Sequence, residues 1–446
     1  MTRRGTDFAF PATGFEEETV SSFHVLIAGG GIGGLCLAQG LRSRGIDCSV
    51  HESAPGIVRS GYRLHMNGAG GGALRHCLPE NLYELYAQTS RETPRRECLV
   101  VLDHRARELG TRPHIGPAND AARPHTAVDR RALRQIMSAD LDEIVHFGHT
   151  VSGFEDDGDR VRLSFTDGSS ATGDVLVAAD GIRSAVRRQL LPDVRTVDTG
   201  MRGLASRAPL TDELAAALPE ALFDGFVIAT GPDGTTFAYG AYRPRRPVAE
   251  AAAELAPDAV IDPVEPYMMV NVNFPPGAPD VPDLWSAAPD RLHAAMRAAT
   301  TGWHPALAGL VEHVDPATLF PQSVRHLEPA EPWETSRVTL LGDAVHAMPP
   351  TFGAGANSAL RDAAALTTAL HRAARGEAEL LEAIAGYEAD MRAEVFPVLR
   401  ASADPRAMNS DFMPTDLLSR TSRKERRRNG TFAECSTGVG SDVTSA

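Results

Sequence analysis

Residues 25–34 read Val-Leu-Ile-Ala-Gly-Gly-Gly-Ile-Gly-Gly, and this stretch limits the fold more than any other. The apolar run Val25–Ala28 has the composition of a strand buried on both faces. One register satisfies G-x-G-x-x-G: Gly29, Gly31 and Gly34. Gly29 suits a tight turn, Gly31 a close backbone approach to a pyrophosphate, and Gly34 contact between the next helix and the strand. That helix, opening with Ile32 and Gly33, presents free N–H groups and a positive dipole end to phosphates. It carries Leu35, Ala38 and Leu41 on one face and Arg42 and Arg44 at its end, with Gly45 as the expected C-cap. A second strand, Cys48 to His51, ends at Glu52, which is followed by Ser53. Glu52 lies 18 residues after Gly34, near the ~20 expected for an acid that binds ribose hydroxyls. Glu52 in place of Arg or Ser argues against a 2′-phosphate, which leaves NAD or FAD.

The 446 residues suffice for two or three domains and a large core. A net charge of −14 disfavours nucleic acid as a partner. No apolar run approaches the ~18 residues of a membrane span, and the N-terminus lacks an apolar signal core, so a cytoplasmic protein without membrane insertion is expected. The five cysteines form no C-x-x-C pair; Cys36 and Cys48, inside the nucleotide unit, read as small buried thiols, and no metal site is expected. Lys424 is the only lysine, which excludes lysine chemistry from the folded core.

Residues 1–22 read as a disordered leader and 403–446, with the basic run Arg423–Arg428, as a solvated, disordered tail. A first cofactor-binding segment spans 23–77 and includes Asn67-Gly68-Ala69-Gly70-Gly71-Gly72, where the glycines suggest either a second close backbone approach or a flexible turn before the helix holding Leu74. Residues 78–125 are assigned to the substrate domain, with a weakly alternating strand at 98–110. A second cofactor segment, 126–194, starts a helix at Arg130 behind the N-cap candidate Asp129. Turn signals follow at Asp156–Asp159 and Thr166–Gly168, and then a buried strand ends in Asp180-Gly181. Residues 195–330 hold strand-like runs at Phe226–Thr230, Thr235–Tyr242 and Tyr267–Phe274, separated by Pro-rich loops, as in a mainly antiparallel domain. The last segment, 331–402, has a third buried strand ending in Gly342-Asp343, then helices near Asn357 and from about 377 to 399.

Three buried strands thus end in glycine and acid, some 300 residues apart from first to last, with a β-rich stretch between. As a set, the Gly29–Gly34 fingerprint, Ala179-Asp180-Gly181-Ile182-Arg183-Ser184-Ala185-Val186-Arg187, and the run from Leu341-Gly342-Asp343 through Pro349 to Gly353-Ala354-Gly355-Ala356-Asn357 resemble the FAD-dependent aromatic monooxygenases of the para-hydroxybenzoate hydroxylase fold over residues 23 to 400. Tyr387-Glu388 with Arg392 looks like that family's closing helix. The resemblance implies an α/β fold: a Rossmann-like FAD-binding domain, an inserted, mainly antiparallel β-sheet substrate domain and C-terminal helices. It implies that Glu52 binds the adenosine ribose, Arg130 contacts the ribityl–phosphate portion, and Asp343 holds the ribityl chain at a buried contact. Gly353 to Asn357 would place backbone N–H groups at the flavin's pyrimidine edge, and Asp180-Gly181 belong to a motif linked to FAD and NAD(P)H. Ala354 departs from the family, where many members have glutamine; backbone donors survive the change.

The implied activity is hydroxylation of an aromatic or polycyclic small molecule by a monomer or homodimer, with non-covalent FAD, NADPH or NADH as reductant and O2, through a flavin hydroperoxide. Tyr239, Tyr267 and Asn271 are the substrate-pocket candidates; alternation puts Tyr267, Met269 and Asn271 on one face of their strand and Met268 and Val270 on the other. His346 reads as a histidine satisfied by backbone or flavin-loop contacts rather than a catalytic base. Competing readings of the same cofactor motifs are a flavin oxidase or dehydrogenase, a halogenase (although no W-x-W-x-I-P stands in the chain) and a non-catalytic flavoprotein that shelters a reactive intermediate.

Overall fold

A computed structural model describes residues 23–57, 61–117, 119, 124–278 and 283–408. The expected leader and nearly all of the expected tail lie outside the described residues. Five strands form one parallel sheet in the spatial order Val338–Leu340, Val175–Ala178, His24–Ala28, Asp47–Glu52, Val145–Phe147. The apolar run that opens the fingerprint is therefore the central strand, and its residues Val25–Ala28 are fully buried. Because the strands are parallel, the turns after His24–Ala28, Asp47–Glu52, Val175–Ala178 and Val338–Leu340 all leave the same edge. Gly29, Glu52, Asp180 and Gly342-Asp343 meet for that reason, despite their separation in sequence.

Helix Ile32–Arg42 packs on this sheet and ends with Ser43 as its C-cap rather than Gly45. Gly45, at φ 69°, follows in a left-handed turn in which Ile46 N–H donates to Leu41 O. Helix Gly355–Ala374 lies against it and buries Leu360, Ala363, Leu366 and Leu370; each leucine removed from water contributes roughly 1.5–3 kcal/mol. The glycine run at 68–72 is not a turn before a helix but the helix itself, Gly68–Cys77. The Asn67 carboxamide oxygen caps it, accepting from Ala69 N at 3.0 Å and Gly70 N at 3.1 Å. The close approach is also present: a Cβ on Gly70 would lie 2.2 Å from Asn357 Oδ1. The closing helix, Leu380–Ala403, is tied to the sheet through Glu388, which accepts from Thr339 Oγ1 at 2.9 Å, and Tyr387, which donates to Leu340 O at 2.9 Å.

A second sheet of seven strands runs Phe320–Leu327, Thr196–Pro209, Tyr267–Phe274, Thr236–Tyr242, Phe226–Thr230, Leu99–Asp103, Glu108–Arg112. Neighbours are antiparallel except Phe226–Thr230 with Leu99–Asp103. The weak alternation at 98–110 is thus a hairpin of two strands at the end of this sheet. Met268, Val270, Val272, Phe237 and Tyr239 point into a second core, under helices Pro289–Ala299 and Pro305–Glu312. The opposite face, carrying Ala238, Met269 and Asn271, is left to cover the carboxyl edge of the parallel sheet. A small ladder, Arg63–Met66 with Thr126–Asp129, runs between the two bodies, and a three-stranded antiparallel sheet (Val151–Asp156, Val161–Phe165, Ser170–Gly173) packs outside.

Candidate functional site

Between the parallel-sheet edge and the free face of the seven-stranded sheet lies a cavity of about 520 Å³, a size that takes a drug-sized ligand. Ten of the residues expected to bind cofactor line it: Gly31, Ile32, Gly33, Arg130, Gly181, Gly342, Asp343, Gly353, Gly355 and Ala356. Gly29, Gly34, Glu52, Ser53, Asp180, Pro349 and Asn357 stand behind or beside this lining, and their surroundings explain why.

Gly29 sits at φ 106°, and a Cβ there would meet Ala179 O at 2.4 Å; a Cβ on Gly34 would meet Gly29 O at 2.0 Å. Those two glycines serve the turn itself. Gly31 differs: the nearest protein atom to its would-be Cβ is Ala179 O at 3.9 Å, and the position faces the cavity. At Gly355 the corresponding distance is 3.8 Å. Neither glycine is demanded by the protein's own packing, so their missing side chains leave room for a ligand. Helices Ile32–Arg42 and Gly355–Ala374 both begin at the cavity without a side-chain cap, so first-turn N–H groups and two positive dipole ends serve whatever occupies it.

Glu52, partly buried at its strand end, accepts from Gly30 N at 2.9 Å and Ala54 N at 2.9 Å. Arg134, unremarked in the sequence, donates to Gly30 O at 2.8 Å and lies 3.8 Å from the Glu52 carboxylate. Asp180 accepts from Ala185 N at 2.9 Å, while its Oδ1 is buried without a partner; burial raises the carboxyl's pKa. Asp343 faces the cavity at the start of a short helix, with its side chain open to whatever occupies it. Asn357 bridges segments with its side chain: Oδ1 accepts from Asn67 N at 2.9 Å, and Nδ2 donates to His65 O at 2.9 Å and Gly353 O at 3.1 Å. The uncapped N-termini, the ligand-facing glycines and the carboxylates Glu52 and Asp343 fit the phosphates and hydroxyls of a dinucleotide such as FAD.

His346 is fully buried, and its partner is neither backbone nor the glycine loop but Asp362, with Nε2 and Oδ2 2.6 Å apart. Burial lowers the histidine's pKa, but the Asp362 carboxylate outweighs it and the net shift is upward. Asp362 also accepts from Gly342 N at 3.2 Å, so the pair locks the Gly342 turn, at φ 62°, rather than facing the cavity.

Of the three substrate-pocket candidates, Asn271 lines the cavity. Tyr239 does not: alternation sends it into the second core beside Phe237, with its hydroxyl buried and without a hydrogen-bond partner. Tyr267 lies one layer back, donating to Asp129 Oδ2 at 2.9 Å beneath the Arg207 guanidinium, whose centre is 4.4 Å from the ring. Asp129 caps helix Arg130–Ser138 through Arg131 N and Ala132 N, so Tyr267 steadies the helix that presents Arg130. The sheet side of the cavity is mainly apolar: Phe226, Ile228, Ala238, Met269 and Phe320.

A polar group in the cavity wall has no counterpart among the sequence motifs. His65 and His114 line the cavity, and Glu97 stands behind them; their ligand-type atoms lie within 4.8 Å of one another. These residues come from separate segments with no motif spacing. The only local hint is that His65 directly precedes the Met66-Asn67 cap.

The profile of the FAD binding domain family matches residues 114–402. A dual O-methyltransferase/FAD-dependent monooxygenase of Cercospora beticola is 32% identical over 393 residues, 82% of this chain and 44% of that protein. The chain thus spans less than half the length of the first curated relatives it matches. An FAD-dependent urate hydroxylase of Klebsiella pneumoniae is 30% identical over 366 residues, covering 82% of this chain and 84% of that one. Among solved structures, a protein of Photorhabdus luminescens subsp. laumondii TTO1 named as an FAD-containing monooxygenase superposes with a TM-score of 0.71 at 30% identity, over 90% of this chain and 98% of the other.

Proposed function

The chain belongs to the FAD-dependent aromatic monooxygenases of the para-hydroxybenzoate hydroxylase fold, with FAD as cofactor, and we propose that it hydroxylates a small aromatic or polycyclic molecule with NAD(P)H as reductant and O2 as oxidant. One observation carries the reading: a single cavity has nucleotide-binding turns at one end and an apolar sheet face at the other. Urate, the substrate named for the Klebsiella pneumoniae relative, is a heterocycle of the size and polarity this reading allows.

In this proposal the helix starting at Ile32 and the Gly31 backbone take the pyrophosphate, Glu52 the adenosine ribose and Asp343 the ribityl hydroxyls. Arg130 serves the ribityl–phosphate portion, and Gly353–Ala356 offer N–H groups to the pyrimidine edge, where negative charge gathers on reduction. The bound flavin supplies the oxygen-activating chemistry. The chain's part is to orient substrate against it and exclude water, which Phe226, Ile228, Met269 and Phe320 do by lining the far end. Tyr267 acts through Asp129 on the Arg130 helix and does not touch substrate.

The test is a supplementation series: FAD-reconstituted protein, NADPH or NADH, and a panel of phenols, indoles, hydroxyquinolines and polyketides. Substrate-dependent NAD(P)H oxidation matched by oxygenated product supports the reading. Reductant use without product across the panel, with hydrogen peroxide in equal amount, contradicts it and favours an oxidase.

A further inference from the structure

The seven-stranded sheet carries a second hollow where Phe320–Leu327 and Thr196–Pro209 form its edge, an open groove of about 560 Å³. These strands pair antiparallel, with Arg202 opposite Ser323 and Asp198 opposite Arg325. Arg202, Ser323 and Arg325 line the groove, joined by Arg183 from the turn after Val175–Ala178 and by Trp285. Gln322 lines both the groove and the main cavity, and Gly181, two residues before Arg183, lines the cavity. The two hollows therefore adjoin. Neither Gly31, Glu52 nor Asp343 borders the groove, so it lies apart from the turns assigned to FAD.

Asp198 accepts from Arg202 Nη1 at 2.8 Å and Nη2 at 3.3 Å, and from Arg325 Nε at 3.0 Å. That carboxylate holds two guanidinium groups in place yet leaves both Nη atoms of Arg325 without an acid. Arg183 has no carboxylate partner among the described residues. Asp283, two residues before Trp285, is engaged by Trp285 N at 3.2 Å and Ser286 Oγ at 2.9 Å. Three arginines against one carboxylate make a surplus of positive charge on a chain of net charge −14, and a groove focuses that field. Guanidinium forks match phosphate oxygens bidentately. Trp285 is 56% exposed, with the Arg202 guanidinium 5.9 Å from its ring. An exposed aromatic face beside an arginine is a platform for a planar base. Phosphate and base together describe a nucleotide.

We propose that this groove docks the adenosine end of the reductant, and that its arginines select NADPH over NADH through the 2′-phosphate. The inference rests on the hydroxylase reading above, which requires a nicotinamide nucleotide and gives it no place. Arg183 and Arg325 take the 2′-phosphate, a dianion with three terminal oxygens, which suits two arginines whose forks are unclaimed. Trp285 packs against the adenine. Arg202 is a positioning residue: it holds Asp198, which in turn holds Arg325. Gln322, at the junction of the two hollows, marks the side from which the nicotinamide end reaches the cavity. Glu52 argues against a 2′-phosphate only at the Gly29–Gly34 turn, so the two sites divide the work: FAD at the turn, NADPH at the groove.

The FAD-loaded protein is titrated calorimetrically with adenosine 2′,5′-bisphosphate, with 5′-AMP, which differs only by lacking the 2′-phosphate, and with 4′-phosphopantetheine, a phosphate that a tethered substrate would carry. Anaerobic stopped-flow reduction with NADPH and with NADH gives the matching affinities of the whole reductants. Wild type is expected to bind the bisphosphate about tenfold or more tighter than 5′-AMP, the size of one charge-assisted contact, and NADPH tighter than NADH by a similar factor. Arg183→Gln and Arg325→Gln should each remove most of both ratios with FAD content unchanged. Trp285→Ala should weaken bisphosphate and 5′-AMP alike. If Arg325→Gln disturbs the strand pair by releasing Asp198, Arg183→Gln, which has no ion pair to lose, decides alone. Equal affinity of wild type for the two adenosine nucleotides, or a ratio unchanged in Arg183→Gln, would overturn the inference. Binding of phosphopantetheine that depends on these arginines, without binding of the bisphosphate, would overturn it too and assign the groove to a substrate arm. Failure of the functional reading shows separately, as nucleotide binding without oxygenated product from any arene.

Discussion

The two ends of the cavity are built on different principles. The end proposed for the nucleotide is made of backbone: glycines that allow turns, uncapped helix starts, and carboxylates placed by strand ends. The end proposed for substrate is made of side chains from strands and loops far apart in sequence, with His65, Glu97 and His114 coming from three segments. A backbone site tolerates few substitutions and binds one kind of ligand; a side-chain site can be altered without disturbing the fold. That difference lets one scaffold keep its cofactor while its substrate changes.

The contrast is broken most severely at the fingerprint glycines, which should separate into two classes. Gly34→Ala places a Cβ 2.0 Å from Gly29 O, a backbone atom that cannot yield, and should cost about 3 kcal/mol of stability together with FAD binding. Gly31→Ala meets nothing within 3.8 Å and should leave the apoprotein within about 0.5 kcal/mol of wild type while lowering FAD affinity at least ~10-fold. Urea melts of the apoproteins and fluorescence titration with FAD measure both. Equal behaviour of the two variants would erase the distinction between turn glycines and ligand-facing glycines.

Asp343 comes next in expected size. It is exposed to the cavity, so Asp343→Ala should spare the fold and weaken FAD by roughly 1.5–3 kcal/mol, which is ~10- to 150-fold. Unchanged FAD affinity would take the ribityl role away from it.

Acid should then weaken the nucleotide end. His51 stacks with His146 and His149 on the parallel sheet, and burial followed by these neighbours lowers its pKa to about 4 from an ordinary 6.5. A depressed histidine binds its proton more readily when unfolded, so its contribution to stability is intact above pH 6.5 and is lost as pH falls from 6.5 towards 4. The urea midpoint should drop across that window, and less steeply in His51→Gln. Parallel profiles for the two proteins would locate the acid sensitivity elsewhere.

The smallest effect is expected at Tyr239. Its hydroxyl is buried without a partner in the second core, so Tyr239→Phe should be neutral or stabilising by up to about 1 kcal/mol and should not uncouple NAD(P)H oxidation from product formation. Uncoupling in this variant would mean that Tyr239 reaches the cavity after all.

How much was legible follows the same division. Gly29, Gly31, Gly34, Glu52 and Asp343 were readable because turns, strand ends and helix starts impose residue types locally. Alternation correctly separated Met269 and Asn271 from Met268 and Val270, but could not tell which face helices Pro289–Ala299 and Pro305–Glu312 would cover, and Tyr239 was misplaced on that account. The bridge from Asn357 to Asn67 spans 290 residues, and the pairing of Glu97 with His114 depends on the hairpin Leu99–Asp103/Glu108–Arg112. No period or spacing in the sequence encodes contacts of that kind. The glycine run at 68–72 misled for another reason: glycine content argues against a helix, and the Asn67 cap with the Asn357 contact overrides it.

In the proposed reaction one cavity joins the flavin site to an aromatic substrate site, and oxygen from O2 passes to the substrate there. Turnover of the FAD-loaded protein with NADPH and hydroxylated arenes under 18O-labelled dioxygen tests it, with product mass read directly. A product carrying one labelled oxygen atom, formed in step with NADPH consumption, is expected. Reductant consumed at the same rate with and without every arene, and no label in any product, would contradict it.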